Sequence, residues 1–379
     1  MHPGGFFSCI VEECSRVAVL TRPRAFKGCS RVVAAPDGPN RGGLRGRDIR
    51  PGKALFIILQ AAGLLLLAGC RPEPVTEMQE PATGLFPIVL QTDWFPQAEH
   101  GGFYQAAARG FFRNEGLDVE ILPGGPGAMI KHKVTRGQAH FAMNRSDDVV
   151  VAIDRGLPLI MVFAVMQRDP QALMMHPSQA VAGFRELDGR TVIASPGLNW
   201  IPVIERQYSI RLNIQPHTYG LTHFLKDESL VQQCFVTSEP YYVRQHGVDP
   251  VVLMLADSGY EPYHVVFANR EFADEAPDRV AAFARASLRG WADYLEGDPT
   301  AAHKVIMARN PNMTPEFLEF SRRTMIEQNL VTGDPSKGDE LGRIDPGRLQ
   351  TEIDRLREFG MIDEPLLVEE VVVPSLYRE

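Results

Sequence analysis

The chain has 379 residues, of which 44% are hydrophobic and 23% are charged, a composition typical of a globular protein with room for two α/β lobes. The formal net charge is −8, although residues 1–69 carry ten Lys and Arg against four Asp and Glu, so the remainder of the chain is strongly acidic. Because phosphate binding needs a basic face, this acidic part argues against nucleic acid as a partner.

The N-terminal part divides into three stretches. Residues 1–49 are rich in Gly, Arg and Pro without apolar periodicity, which indicates an unstructured segment or a start placed too early. Residues 50–69 place positive charge before an apolar core and predict a lipoprotein signal peptide rather than a buried core helix. Its end, Leu67-Ala-Gly-Cys70, resembles the lipobox of bacterial lipoproteins, so we expect Cys70 to be lipidated. The Pro-rich residues 70–86 are then a tether.

Cys234 is the other cysteine in the part that would remain after cleavage of this signal. A single further thiol gives no disulfide framework. Its apolar context, Cys-Phe-Val, predicts a small buried side chain rather than a nucleophile.

From Pro87 onward, short apolar runs alternate with helical patterns, which is typical of a parallel-rich α/β fold. The first series of predicted strands comprises residues 88–92, 117–122, 140–143 and 159–165. The helices between them are predicted at residues 102–114, 127–136 and 146–155, the last with Ser146 as its N-cap.

A second series follows, with strands ending at Ala194 and spanning residues 233–236 and 251–255. Its helices are predicted at residues 200–208, capped by Asn199, and 240–246. A strand at residues 263–268 leads back toward the first series. The remaining predicted elements are helices at residues 277–295, 300–308, 315–327 and 345–359.

Two long runs carry a family resemblance. They are Asp93-Trp-Phe-Pro-Gln-Ala-Glu-His-Gly-Gly-Phe-Tyr104 and Ala107-Ala-Arg-Gly-Phe-Phe-Arg-Asn-Glu-Gly-Leu-Asp-Val119. Together they resemble the opening of the SsuA/THI5-like (NMT1) family, and Glu239-Pro-Tyr241 adds a shorter match. The resemblance covers about residues 87–300 and includes solute-binding proteins as well as a thiamine-pyrimidine synthase branch.

This resemblance implies a type II periplasmic-binding-protein fold, in which two α/β lobes close around a ligand cleft by a hinge motion and C-terminal helices follow. We expect residues 87–172 to form the first part of lobe 1 and residues 173–262 to form lobe 2. Residues 263–379 would return to lobe 1 and supply the C-terminal helices. The ligand would lie where strands of both lobes end.

Four candidate ligand residues belong to the first long run. Trp94 follows a strand and precedes Pro96, so its ring could stack on a planar heterocycle at the cleft, or be a core side chain. Asp93 touches the ligand or holds the loop by local hydrogen bonds. His100 and Tyr104 share a helix face, and the resemblance places this loop in the pocket of pyrimidine binders.

Further candidates come from later strand ends. Asn144 and Ser146 follow the third strand and either contact a ligand or cap a helix. The loop with Ser195, Asn199 and Trp200 could receive an anion on free backbone N–H groups or supply a second aromatic wall.

Glu239, which precedes Pro240 and Tyr241, is the candidate charge at the site. The resemblance places this acid-Pro-Tyr run at the cleft. A carboxylate there can accept hydrogen bonds from a protonated aminopyrimidine and would repel a sulfonate. The alternative is an acid at a helix N-terminus.

No metal or cofactor is expected, because His100, His132, His140 and His176 show no metal-ligand spacing. The main hypothesis is the monomeric, lipid-anchored binding component of an ABC importer, on the periplasmic or extracytoplasmic face of a membrane. It would deliver a planar heterocycle, such as a thiamine-pyrimidine precursor, to a permease.

Two rival functions remain open. One keeps the fold and binds a sulfonate or similar anion. The other is the synthase branch, which resembles this chain at Asp93-Trp94 but uses a cysteine-rich iron-associated motif and a consumed pocket histidine. Here the mature part has only Cys70 and Cys234, and the histidine position falls on Asp148, so we expect a binding protein rather than an enzyme.

Overall fold

The computed structural model describes residues 84–373 of the chain. The predictions for residues 1–49, for the signal peptide at 50–69, for Cys70 and for all but the end of the tether lie outside the described residues. Within the described range, no helix is long and apolar enough to cross a membrane.

The first sheet contains five strands in the order β2-β1-β3-β10-β4. Its strands are β1 Phe86–Gln91, β2 Leu117–Leu122, β3 Phe141–Arg145, β4 Leu159–Met166 and β10 His264–Asn269. β1 pairs in parallel with β2 and β3, whereas β10 runs antiparallel between β3 and β4. The parallel arrangement brings the carboxyl ends of β1 and β3 to one edge, where ligands bind in open α/β sheets.

The helices of this lobe are α1 Gly101–Ala108, α2 Phe111–Asn114, α3 Ile130–Thr135 and α4 Ser146–Asp154. The single helix predicted at residues 102–114 is interrupted because Gly110 adopts φ 73°, a left-handed conformation that ends α1. The helix predicted at 127–136 begins only at Ile130, since Gly125, Gly127 and Met129 all have positive φ and form a turn.

The second sheet has the order β7-β6-β8-β5-β9. Its strands are β5 Gln171–Met175, β6 Thr191–Ala194, β7 Asn213–Pro216, β8 Val231–Phe235 and β9 Val251–Met254. β6 is parallel to β7 and β8, and β5 is antiparallel to β8 and β9. The expected lobe boundary at 172/173 falls inside β5, because the chain leaves the first sheet after Met166 and pairs in the second from Gln171.

Three helices accompany the second sheet: α5 Trp200–Tyr208, α6 Thr222–Lys226 and α7 Glu239–Gln245. β5, β7 and α6 were not expected. The predicted cap by Asn199 is wrong, because Asn199 has helical dihedrals and its side chain makes no capping hydrogen bond. Ser146 is likewise the first residue of α4, whose N-cap is Arg145.

The C-terminal helices are α8 Arg270–Glu275, α9 Pro277–Glu296, α10 Thr300–Arg309, α11 Pro315–Glu327, α12 Pro346–Glu358 and α13 Val368–Val371. α9 packs directly on α1 because both helices carry glycine at the crossing. A Cβ on Gly102 would lie 2.2 Å from the Trp291 ring, and a Cβ on Gly290 would lie 2.3 Å from the carbonyl oxygen of Gly102. The Gly pair of the first long run therefore serves helix packing and fixes where the first loop lies.

Candidate functional site

The candidate site lies between the two sheets, where the loops after β1 and β3 meet those after β6, β7 and β8. Among the side-chain contacts that join the lobes, three lie at this place. Trp94 contacts Tyr219, Glu99 is hydrogen-bonded to Thr237, and Asn199 lies 3.5 Å from a carboxylate oxygen of Asp148. We call the first the aromatic contact.

The loop after β1, which carries Trp94, is held in place by hydrogen bonds to its backbone. The Thr92 hydroxyl donates to the carbonyl of Trp94 at 2.9 Å, and the N–H of Gly124 donates to the same carbonyl at 2.9 Å. A Cβ on Gly124 would lie 2.3 Å from the Thr92 carbonyl oxygen, so only glycine permits this approach. The position of the Trp94 ring therefore depends on a glycine thirty residues downstream.

Asp93 and His100 form a pair at the start of α1. The Nε2 atom of His100 lies 2.8 Å from Oδ1 of Asp93, and His100 is 1% exposed while its Nδ1 has no partner. Burial opposes ionisation of Asp93, but the hydrogen bond and charge of His100 outweigh it and hold the pKa of Asp93 below its usual value. Both predicted residues thus lie at the lobe boundary and contact each other.

The aromatic contact replaces the pair of aromatic walls expected from the sequence. The rings of Trp94 and Tyr219 have centroids 5.4 Å apart and an interplanar angle of 44°. Tyr219 is 54% exposed, and Phe95 lies beside Trp94 with centroids 5.5 Å apart. Trp200, in contrast, is 1% exposed and packs in the core of the second lobe, so its predicted role as a wall is wrong.

Tyr104 also belongs to the core. It is 1% exposed and packs in the hydrophobic cluster of the first lobe, with the guanidinium of Arg309 5.8 Å from its ring centroid. Helical spacing put it near His100, but its ring is packed among the hydrophobic residues of the first lobe. The structure therefore gives no support to Tyr104 as a ligand contact.

Two carboxyl groups are hydrogen-bonded to residues near the end of β8. Glu239 accepts a hydrogen bond from the backbone N–H of Phe235 at 2.7 Å, and Glu99 accepts one from the hydroxyl of Thr237. Burial raises the pKa of Glu239 to about 7; the Phe235 N–H opposes this shift and the charge of Glu99 adds to it. Burial also raises the pKa of Glu99, against the hydrogen bond from Thr237.

Tyr241 does not reach the cleft. Its ring packs against Phe317 and Phe320 of α11, with centroids 5.2 and 5.1 Å away, and Tyr242 packs on Phe317 at 4.8 Å. These rings dock α7 of the second lobe onto a C-terminal helix. Together with the Glu99–Thr237 hydrogen bond, we call them the buried contact.

A chain of hydrogen bonds crosses the second lobe. It runs from Asp169, in the crossing between the two sheets that we call the hinge, to the loop after β6. Gln171 donates to Asp169 at 3.1 Å, Gln233 donates to Gln171 at 3.0 Å, and the backbone N–H of Ser195 donates to Gln233 at 3.3 Å. Asp169 lies 3.4 Å from His264, at the start of β10. The predicted residue Ser195 is thereby linked to the hinge through its backbone, and this N–H is already used.

Charged groups cluster where β3 enters α4. Arg145 lies 3.2 Å from Asp147 and 3.1 Å from Asp148, and the hydroxyl of Tyr260 donates to Asp147. Burial raises the pKa of Asp148, although Arg145 opposes the shift. Asp148, which the sequence matched to the histidine position of the synthase branch, is contacted by Asn199 from the other lobe.

Ser146 and Asn144 are held by their own neighbours. Ser146 is fully buried, donates to the carboxylate of Glu352 at 2.8 Å and accepts from the N–H of Tyr263 at 2.9 Å. Asn144 accepts from the N–H of Arg145 at 2.9 Å and is half-buried. Ser146 is therefore a structural residue at the hinge, contrary to its predicted ligand role.

Sequence reasoning also missed Tyr219 and Glu99. Tyr219 lies in a loop with no strong motif, and its positive φ of 58° is a feature that only the structure shows. Glu99 stands within the first long run, and the signal available in the sequence was an acidic residue directly before His100. In the described range 84–373, no three His, Cys, Asp or Glu residues are grouped to hold a metal.

Two surface depressions lie outside the cleft. One of about 440 Å³ is lined by residues including Arg109 and Asp293, and one of about 220 Å³ by residues including Tyr260 and Glu352. Neither contains the predicted site residues. The contacts of Trp94 with Tyr219 and of Asn199 with Asp148, between the lobes, therefore mark the candidate site.

The two sheets, their strand orders and the two crossings between them define the type II periplasmic-binding-protein fold. The periplasmic aliphatic sulphonate binding protein SsuA from Escherichia coli has this fold, with a TM-score of 0.56, 12% identity and coverage of 78% of this chain and 99% of that one. The chain belongs to the NMT1/THI5-like family, whose model matches residues 97–302. The predicted fold and family are confirmed.

Three relatives refine this placement. A formylaminopyrimidine-binding protein of Halalkalibacterium halodurans is 24% identical and covers 76% of this chain and 90% of its own length. The riboflavin-binding protein RibY of Chloroflexus aurantiacus is 25% identical, with 81% and 93% covered. A 4-amino-5-hydroxymethyl-2-methylpyrimidine phosphate synthase of Legionella pneumophila is 22% identical, with 68% and 84% covered. These comparisons place the chain with the binding proteins of the family rather than with its enzymes.

Proposed function

We propose that this protein is the solute-binding component of an ABC importer and that it binds a planar nitrogen heterocycle between its lobes. The observation that carries the proposal is the aromatic contact, in which Trp94 of one lobe faces Tyr219 of the other. A ring bound between two such side chains is held by stacking on both faces. Two relatives are named as binding formylaminopyrimidine and riboflavin, and both of these compounds contain a planar nitrogen heterocycle.

The geometry requires the lobes to separate for a ligand to enter. Stacking on both faces needs about 7 Å between the two protein rings, because each stacked pair is about 3.5 Å apart. The observed centroid distance is 5.4 Å. The loop carrying the 54% exposed Tyr219 is the part free to move outward, and closure over the ligand would present the loaded protein to the permease.

The charge of the cleft argues against the sulfonate alternative. Asp93, Glu99, Asp148 and Glu239 all contribute carboxyl groups, and the nearby Arg145 is already paired with Asp147 and Asp148. The backbone N–H of Ser195, expected to receive an anion, instead donates to Gln233. An acidic cleft favours a ligand that offers hydrogen-bond donors.

The particular heterocycle we favour is a thiamine-pyrimidine precursor. Its exocyclic amino group, together with a protonated ring nitrogen, forms a donor edge that matches the Glu239 carboxylate, while the ring stacks on Trp94. The test replaces Glu239 with Gln, which keeps the size of the side chain and removes its charge. We expect Glu239→Gln to weaken formylaminopyrimidine binding at least about tenfold, since charged hydrogen bonds contribute about 1.5–3 kcal/mol. Titration calorimetry measures the affinity.

The matched control is Glu316→Gln, which removes an exposed carboxylate from α11 and should leave affinity unchanged. An alkanesulfonate serves as the opposing ligand. Tight sulfonate binding that strengthens in Glu239→Gln would contradict the heterocycle proposal and leave the transport role standing.

We further propose that Cys70 anchors the protein by lipid to the outer side of the membrane, where it would act as a monomer. The support is the Leu67-Ala-Gly-Cys70 run after an apolar segment. A fatty-acid probe fed to expressing cells should label the wild type and fail to label Cys70→Ala. Cys29→Ala is the control and should be labelled normally. Labelling of Cys70→Ala would refute the anchor.

A further inference from the structure

The loop between β7 and α6 carries Tyr219 and is fastened to the second sheet on both sides of this residue. The backbone N–H of His217 donates to the carbonyl of Ala194, at the end of β6, at 3.1 Å. The side-chain amide of Gln232 on β8 donates to the carbonyl of Gly220 at 3.3 Å. The loop therefore moves with the second lobe, and the direction of the Tyr219 ring depends on the short stretch of backbone between these two points.

Tyr219 has a backbone conformation that its side chain disfavours. Its φ of 58° lies in the left-handed region, where residues other than Gly and Asn are uncommon. Such a conformation persists only where the surroundings hold it. The ring is 54% exposed, so packing of the side chain is a weak restraint. The conformation therefore requires a partner for the backbone itself.

His217 supplies this partner. Its Nδ1 accepts a hydrogen bond from the backbone N–H of Tyr219 at 2.7 Å. Its imidazole also contacts the Tyr219 ring, with centroids 5.1 Å apart and an interplanar angle of 42°. A ring nitrogen that accepts a hydrogen bond carries no proton, so this contact requires the neutral imidazole. One side chain thus fixes the backbone of Tyr219 and contacts its ring, which in turn meets Trp94.

From these contacts we infer that His217 is a positioning residue of the ligand site: its neutral imidazole holds Tyr219 in the conformation that sets the ring against Trp94. The inference rests on the proposed stacking of a heterocycle between these two rings, and it adds the residue that prepares one of the two walls. Protonation of His217 would place an N–H group opposite the N–H of Tyr219. The hydrogen bond would then be lost and the wall released.

The pH at which this occurs follows from the groups around the imidazole. Burial lowers the pKa of His217, and the backbone carbonyl of Gln233 on β8 opposes this shift. The titratable group that faces the imidazole is Tyr219 of the same loop, and no Asp or Glu of the described residues shifts its pKa. The folded protein therefore favours the neutral imidazole. The hydrogen bond is complete at pH 7.5 and is lost as the pH falls below about 6.5, the ordinary pKa of histidine.

The first measurement needs no ligand. In protein that carries nitrogen-15 in its nine tyrosines, NMR follows the exchange of each tyrosine N–H with water, and Tyr219→Phe identifies the Tyr219 signal by its absence. At pH 7.5 we expect His217→Ala to speed the exchange of this N–H about threefold to tenfold, through the loss of one hydrogen bond. His217→Asn should restore slow exchange, because an Asn side-chain oxygen accepts the N–H two residues ahead.

Lowering the pH distinguishes the imidazole from the amide. At pH 5.5 the wild type should exchange like His217→Ala measured at the same pH, whereas His217→Asn should still exchange more slowly. The wild-type Tyr219 signal should also shift with a midpoint below about pH 6.5, and this observation needs no variant of His217 to fold.

The second measurement connects the loop to the ligand. In calorimetry at pH 7.5, His217→Ala should weaken formylaminopyrimidine binding about threefold, and His217→Asn should bind like the wild type. Added to Tyr219→Ala, the His217→Ala change should cause no further loss, because His217 acts through Tyr219. The control is His223→Ala, which removes an exposed histidine from α6 of the same lobe and should match the wild type in both measurements.

Two results would overturn the inference. One is equal exchange of the Tyr219 N–H in the wild type and His217→Ala at pH 7.5. The other is a loss of affinity from His217→Ala that persists when Tyr219 is already Ala, because such a loss reports direct ligand contact or a general structural role. If exchange follows the expectation while no heterocycle binds, the proposed function fails and His217 still positions Tyr219.

Discussion

The two lobes meet through contacts of different character. The buried contact combines a hydrogen bond between Glu99 and Thr237 with rings of α7 packed on α11, and Thr237 and Phe317 are at most 2% exposed. The aromatic contact joins two loops, and its Tyr219 is 54% exposed. A contact that includes buried side chains such as Phe317 and Thr237 is costly to separate, whereas one that includes a mostly exposed ring opens at less cost.

This difference indicates how the cleft opens. Ser321 of α11 also donates to the carbonyl of Thr237 at 2.6 Å, so the C-terminal helix holds the end of β8 by backbone as well as side chains. We expect the second lobe to pivot about the buried contact and the two hinge crossings, while the loops with Tyr219 and Asn199 swing away. Under the proposed function, Glu239 would then stay in place as a fixed reference for the ligand, and Tyr219 would arrive with closure.

Breaking the buried contact should have the largest effect. Phe317→Ala removes a 2% exposed ring that packs against both Tyr241 and Tyr242. Truncation of a buried phenylalanine costs about 3–5 kcal/mol, so the free energy of unfolding should fall by about 3 kcal/mol in urea titration. Phe320→Ala is the control, since Phe320 is only half-buried and contacts Tyr241 alone among these rings. Equal losses for the two variants would show that α7 is not docked as described.

Breaking the aromatic contact should affect binding but barely affect stability. Tyr219→Ala removes an exposed ring, so the free energy of unfolding should change by less than about 0.5 kcal/mol. Loss of one stacking face should weaken formylaminopyrimidine binding about threefold to tenfold, with most of the change in the dissociation rate. Tyr219→Phe retains the ring and should bind like the wild type. Unchanged affinity in Tyr219→Ala would exclude this ring from the site.

Much of the fold follows from local pattern. Strands such as β4, buried along its full length, and amphipathic helices such as α9 are visible in the sequence because burial imposes their periodicity. β7 was missed because its four residues, Asn213–Pro216, are largely exposed and carry little apolar signal. β5 was missed for a different reason. Its residues Gln171–Met175 are buried, but the polar segment that crosses between the two sheets comes directly before them, so the start of the strand is hard to see in the sequence.

The site was predicted less completely than the fold. Asp93, Trp94 and His100 lie at the lobe boundary because a strand end and a rigid loop determine their position locally. Whether Tyr104 or Trp200 faces the cleft depends on how their helices pack on distant elements, which one sequence does not reveal. Tyr219 was invisible for the same reason, because its partner Trp94 is more than a hundred residues away.

Cys234 has a practical consequence for observing the motion of the lobes. It is the only cysteine after Cys70, it is 1% exposed, and burial raises the pKa of its thiol well above the usual value. A thiol that is both inaccessible and protonated reacts slowly with labelling reagents. In a chain begun after Cys70, paramagnetic labels on two introduced surface cysteines, one in each lobe, would therefore report the interlobe distance without background from the native residue.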